Sequence, residues 1–175
     1  RQVPDCKQFS VNAVCAGGLR GETSKSSGLY NAIAGLLGKA TQTKPFEALQ
    51  NEIESFGAVI EGFSGKDSLG LRMQCLAENV EGMLDSYFDC FLFPKFPDEY
   101  WRTLQADILE EIKTSADNPS TQCIRANQKL IYGDHPYGQL LSGDADVVGA
   151  FSATHLFAEF QRIRGQHKWV FSALG

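Results

Sequence analysis

Metal-assisted or nucleophilic hydrolysis needs imidazoles, carboxylates or thiols that converge, and this sequence offers few of them. Its three histidines, His135, His155 and His167, are scattered. No two stand four apart, the spacing that sets paired imidazoles one turn apart on a helix. The five cysteines, Cys6, Cys15, Cys75, Cys90 and Cys123, form no CxxC or CxxxC pair. That argues against a thiolate zinc site, and the odd number argues against a disulfide framework. There is no G-x-S-x-G nucleophile motif. Gly35-Leu36-Leu37-Gly38-Lys39 and Gly62-Phe63-Ser64-Gly65-Lys66 lack the spacing and the following Ser or Thr of a phosphate-binding loop. Glu111 is the remaining candidate. Trp101, Leu104, Ile108 and Ile112 mark one apolar stripe at helical spacing. Glu111 falls inside that stripe, whereas Glu110 points away to solvent. A carboxylate on an apolar face needs a partner or a reason. A salt bridge or cap contact is the ordinary reason, and a functional carboxylate is the sharper one.

The elements that must carry these residues follow from periodicity and punctuation. Residues 9–16 alternate as a strand that Gly17-Gly18 ends. Ser26 and Ser27 offer caps for a helix over 28–39, in which Asn31, Ala34 and Gly35 share the face opposite Leu29, Ile33, Leu36 and Ala40. Thr43 and Pro45 start a second helix to about 55. Strands over 58–64 and 68–75 flank the turn Gly65-Lys66-Asp67, a three-residue hairpin connection. Helices are expected over 78–91, 98–115, with Asp98 as cap, 118–132, opened by Asn118-Pro119, and 152–164, capped by Ser152. A strand over 168–174 closes the chain. This order predicts an α+β domain: a mixed, mostly antiparallel sheet of about five strands with helices packed mainly on one face. One domain over 1–175, cut at both ends from a larger multi-domain protein, is the expected organisation.

In this order the motifs resemble the pitrilysin/insulinase (M16) family of zinc metallopeptidases, with its LuxS/MPP-like metallohydrolase fold. Ala16-Gly17-Gly18-Leu19-Arg20-Gly21-Glu22-Thr23 and Gly28-Leu29 are similar to the glycine-rich strand end that leads into the metal-binding helix. Glu54-Ser55-Phe56-Gly57-Ala58 and Glu61-Gly62-Phe63-Ser64-Gly65-Lys66-Asp67-Ser68 resemble the second helix's turn and the following hairpin. Ile108-Leu109-Glu110-Glu111-Ile112 resembles the segment that brings the third zinc ligand, and His135-Pro136-Tyr137-Gly138 resembles the HPYG loop. Active members carry H-x-x-E-H on the first helix. Here Asn31 and Gly35 stand at the histidine positions and Ala34 at the general-base glutamate.

The resemblance therefore implies a degenerate, non-catalytic domain with no metal of its own, in which Glu111 alone keeps the third-ligand position. It implies a parent zinc metalloendopeptidase whose zinc sits in another domain, and a role for this domain in the peptide-enclosing chamber or at a domain interface. His135 and Tyr137 would serve a substrate-contacting or structural loop. The implied partners are other M16-like domains, in the same chain or in a homologous subunit, and a peptide substrate. A structural or assembly subunit without a link to proteolysis is the alternative, as in the degenerate core subunits of respiratory complexes. Composition fits either reading. The 175 residues are 43% hydrophobic, enough for a packed core, and the net charge of -5 disfavours a nucleic-acid partner. No apolar run reaches the ~18–20 residues of a membrane span. Reduced, mostly buried thiols point to a reducing compartment, so the cytoplasm is the expected location, with the periplasm or an organelle as alternatives.

Overall fold

The computed structural model describes residues 6–175. Strand β1 (Gln8–Ala16) lies inside a sheet of order β2-β3-β1-β4, built with β2 (Val59–Ser64), β3 (Ser68–Leu76) and β4 (Trp169–Leu174). Every pairing is antiparallel. The register sets Val11, Ala13 and Cys15 opposite Met73, Leu71 and Leu69, and Ala13 and Cys15 opposite Phe171 and Trp169. Side chains alternate faces along a strand, so these residues share one apolar face.

Helices lie on that side of the sheet, and not all of them touch the strands. They are α1 (Leu29–Leu36), α2 (Phe46–Ser55), α3 (Val80–Leu92), α4 (Asp98–Asp117), α5 (Pro119–Tyr132), α6 (Ala145–Gly149) and α7 (Ala153–Gln166). Ala32, Ile33 and Leu36 of α1, Met83, Tyr87 and Cys90 of α3 and Phe160 of α7 join the strand residues in one core. The fully buried Tyr87 hydroxyl donates to Leu71 O at 3.1 Å, so its polar atom is satisfied inside the core. The α+β class and the one-sided helix layer match expectation. Among the described residues the sheet has four strands rather than about five, because the chain between β3 and β4 carries only helical periodicity and turns.

The helix ends differ in instructive ways. α1 stops at Leu36, three residues early, because Leu37 turns extended and Gly38 adopts φ 78 against the Ile60 carbonyl. Neither Ser26 nor Ser27 caps it through a side chain. Glu22 does so from six residues upstream. Its carboxylate accepts from Gly28 N at 2.8 Å and from Tyr30 N at 2.9 Å. Burial pushes the Glu22 carboxyl up to about 7, with those two amide bonds opposing the shift. Pro45 and Pro97, not Thr43 and Asp98, precede α2 and α4, and neither helix has a side-chain cap. Asn118 and Ser152 cap α5 and α7 as expected, accepting from Thr121 N and His155 N among others. The short α6, capped by Asp144, has no counterpart among the expected helices.

α1 is held down on the sheet by the absence of a side chain. A Cβ at Gly62 of β2 would lie 2.2 Å from the Ala34 carbonyl oxygen and 2.8 Å from Leu37 Cβ. Backbone cannot yield there as a flexible side-chain tip could. Gly62→Ala is expected to destabilise the fold by about 2 kcal/mol, read as a lower urea midpoint at unchanged m-value. An unchanged midpoint would show that α1 and β2 are not packed this closely.

Candidate functional site

Three elements meet at one cavity of about 370 Å³. α1 contributes Asn31, Ala34 and Gly35, β2 contributes Gly62, Phe63 and Ser64, and α4 contributes Leu104, Asp107, Ile108 and Glu111. The four positions singled out from sequence, separated by up to eighty residues, are thus brought together. Their chemistry is thin. Asn31 offers a neutral amide and Ala34 and Gly35 offer no polar side chain. Glu111 is exposed, not buried in the apolar stripe. α4 packs inward through Trp101, Ile108 and Ile112, and the edge bearing Glu111 faces the open cleft. Among the described residues Glu111 has no hydrogen-bond or ion-pair partner, whereas the neighbouring Glu110 reaches Lys113 at 3.8 Å.

Leu104 occupies the place that a larger residue at position 35 would need. A Cβ on Gly35 would lie 2.6 Å from Leu104 Cδ2. Sequence reasoning passed over Asp107, which lines the same cavity four residues before Glu111. That spacing was the available signal, since residues four apart share a helix face. Ser64 was also missed; its Oγ is buried without a hydrogen-bond partner.

Zinc does not fit this donor set. A zinc peptidase holds its metal with three protein ligands and leaves a fourth position for water, and it needs a second carboxylate as base. Here two carboxylates, Asp107 and Glu111, and one neutral amide, Asn31, line the cavity, with no imidazole among them. Among the described residues, no group of three or more His, Cys, Asp or Glu side chains could hold a metal ion.

His135 and Tyr137 lie outside that cavity. The His135 Nδ1 accepts from Tyr137 N at 3.2 Å, and the two rings meet edge to face at 4.6 Å. The Tyr137 hydroxyl donates to Asp67 in the β2–β3 turn, which holds the phenol proton more tightly than usual. Lys66 Nζ sits 5.6 Å from the Tyr137 ring centre and 5.7 Å from that of Tyr132. The loop is thereby tied to the hairpin turn by a hydrogen bond and a cation held over two rings. His155 is exposed and stacks near Phe151, and His167 Nδ1 lies 2.7 Å from Ala16 O. The three histidines do not converge.

Comparison with known proteins agrees with this fold. The family model for insulinase (peptidase family M16) matches residues 4–145. An uncharacterized zinc protease of Rickettsia felis is 22% identical over 156 residues, which is 89% of this chain and 38% of that protein. Subunit 1 of the mitochondrial cytochrome b-c1 complex of Mus musculus is 22% identical over 158 residues, 90% of this chain and 33% of that subunit. The crystal structure of a peptidase M16 inactive domain from Pseudomonas fluorescens superposes with a TM-score of 0.85 at 20% identity, covering all of this chain and 43% of that one. The periplasmic protease PqqL from Escherichia coli superposes with a TM-score of 0.83 at 14% identity, covering 97% of this chain and 19% of that one. The chain spans less than half the length of these relatives.

Installing the donors that the family resemblance implies at these positions tests the convergence. Asn31→His, Ala34→Glu and Gly35→His together would supply the helix donors, and Leu104→Ala clears the space that the new residue at 35 requires. The fourfold variant is expected to bind zinc measurably, and more tightly than the variant that keeps Leu104, as read by competition with a chromogenic chelator. Adding Glu111→Gln should weaken binding by more than about tenfold, since even an outer-shell contact costs that much. Equal affinity with Gln at 111 would show that this carboxylate does not reach the metal position.

Proposed function

Because the chain belongs to the insulinase family (peptidase family M16), we propose that it is a non-catalytic domain of a longer metallopeptidase and forms part of the peptide-enclosing chamber or an interface between domains. The carrying observation is the dismantled site: Asn31, Ala34 and Gly35 surround the cavity where two imidazoles and a general base would stand, with Leu104 filling in behind. In this reading residues 1–175 are one domain, and the zinc and the hydrolysis belong to another domain of the same chain or to a homologous subunit.

Surface chemistry supports an interface. α5 buries none of its residues, and Ile124 and Ile131, seven apart on one face, are 59% and 65% exposed. On β4, Val170, Phe171 and Leu174 are also exposed. Apolar side chains grouped on one helix face and one edge strand are what neighbouring domains cover. A peptide is the fitting cargo of such a chamber. No helix among the described residues is long and apolar enough to cross a membrane. Five free cysteines, three of them buried, fit a reducing compartment.

The likeness to subunit 1 of the cytochrome b-c1 complex favours a second reading, a structural or assembly subunit. The full-length protein separates the two. Under the first reading it carries zinc and shows chelator-sensitive peptidase activity, and Ile124→Asp with Ile131→Asp lowers kcat/KM by about tenfold, the loss of one anchor contact, at unchanged zinc content. A full-length protein without zinc or hydrolysis that purifies in a stable complex overturns the first reading and carries the second.

A further inference from the structure

A second cleft, of about 610 Å³, lies between the start of α1, one face of α5 and the 138–144 segment, away from the dismantled site. We infer that it is a binding site for a compact oxyanion, a carboxylate or phosphate group borne on a larger ligand.

Charge points there first. The chain carries a net -5, yet Arg125 and Lys129 both line this cleft. They stand four apart on α5, so they lie side by side on one helix face. Among the described residues neither has an ion-pair partner. The acid at the rim, Asp144, already has its Oδ1 engaged by Asp146 N at 3.0 Å and Val147 N at 3.3 Å as the cap of α6. Two uncommitted cations beside a committed carboxylate leave a positive cleft on an acidic protein, and such concave sites concentrate anions.

Unsatisfied hydrogen-bonding capacity points there too. Ser27 is only 5% exposed and lines the cleft, yet its hydroxyl makes no hydrogen bond among the described residues. That hydroxyl is free to donate to a ligand oxygen in the cleft. Gln139 also lines the cleft, with its Oε1 buried and unpartnered. No partner fixes that oxygen, so the amide is free to present its NH₂ to an anion. The floor is built for close approach. Gly143, at φ 90, packs so tightly on Gly28 that a Cβ would lie 2.5 Å from Gly28 Cα. The space exceeds a bare phosphate and falls in the range of ordinary ligand sites of ~300–1,000 Å³, so the anion is a headgroup with more of the ligand behind it.

Titrating the chain with inorganic phosphate at constant ionic strength is expected to shift the backbone amides of Ser24, Ser27 and Gly143 saturably. Chloride over the same range should leave them in place. Arg125→Gln with Lys129→Gln should raise Kd by about tenfold or more, and Ser27→Ala, which leaves the charges intact, by about threefold, the loss of one hydrogen bond. A hexapeptide with a free C-terminus that binds more tightly than its amidated form assigns the anion to a peptide carboxylate. Equal binding of the two peptides, with phosphate saturating, assigns it to a phosphate. The inference is overturned if neither phosphate nor the free peptide saturates, if chloride produces the same shifts, or if the double and single variants bind as the wild type does.

Discussion

The close seating of α1 on β2 and α4 is the constraint on which the rest depends. Two missing side chains permit it. Gly62 lets the α1 backbone come within van der Waals reach of β2, and Gly35 lets α4 press Leu104 against the helix. Once α1 is fixed at that depth, Asn31, Ala34 and Gly35 necessarily border the cavity that Glu111 borders from α4. The Glu22 carboxylate sets the other end of the helix by bonding two of its first amides. An eight-residue helix has little stability of its own; tertiary packing and this remote cap hold it.

What separates scaffold from chemistry is therefore visible at single positions. Strand pairing, the helix layer and the direction of α4 need apolar faces and glycines, and these are present. Holding and activating a metal-bound water needs imidazoles and a base at three α1 positions, and these are absent. Small residues there border a cavity that lacks metal donors, and it is narrowed on one side. Packing density in protein interiors leaves few voids, and Leu104 fills the space beside Gly35. The HPYG loop follows the same logic. Its aromatic and hydroxyl groups are spent on Asp67 and Lys66 in the hairpin turn, a use that serves structure without requiring catalysis.

Much of this was legible in the residues. β1, the β2–β3 hairpin and the Asn118 and Ser152 caps follow from local alternation and turn chemistry, which the tertiary structure leaves intact. The convergence of residues 31, 34, 35 and 111 was legible only through the family resemblance, because no local pattern links α1 to α4. Three features were not legible. The Glu22 cap spans six residues, beyond the N-cap's own turn, where serines normally do that work. α1 ends early because of a steric meeting between Gly38 and Ile60 on a distant strand. Glu111 looked inward by periodicity, but a stripe records which face is apolar and not which edge of it stays covered.

The central claim is that the scaffold of a zinc peptidase persists here with its metal site dismantled. Metal analysis of the chain, purified without added metal or chelator, tests it most directly. Zinc far below one equivalent is the predicted result. Zinc near one equivalent per chain, retained through dialysis and lost on Glu111→Gln, would contradict it.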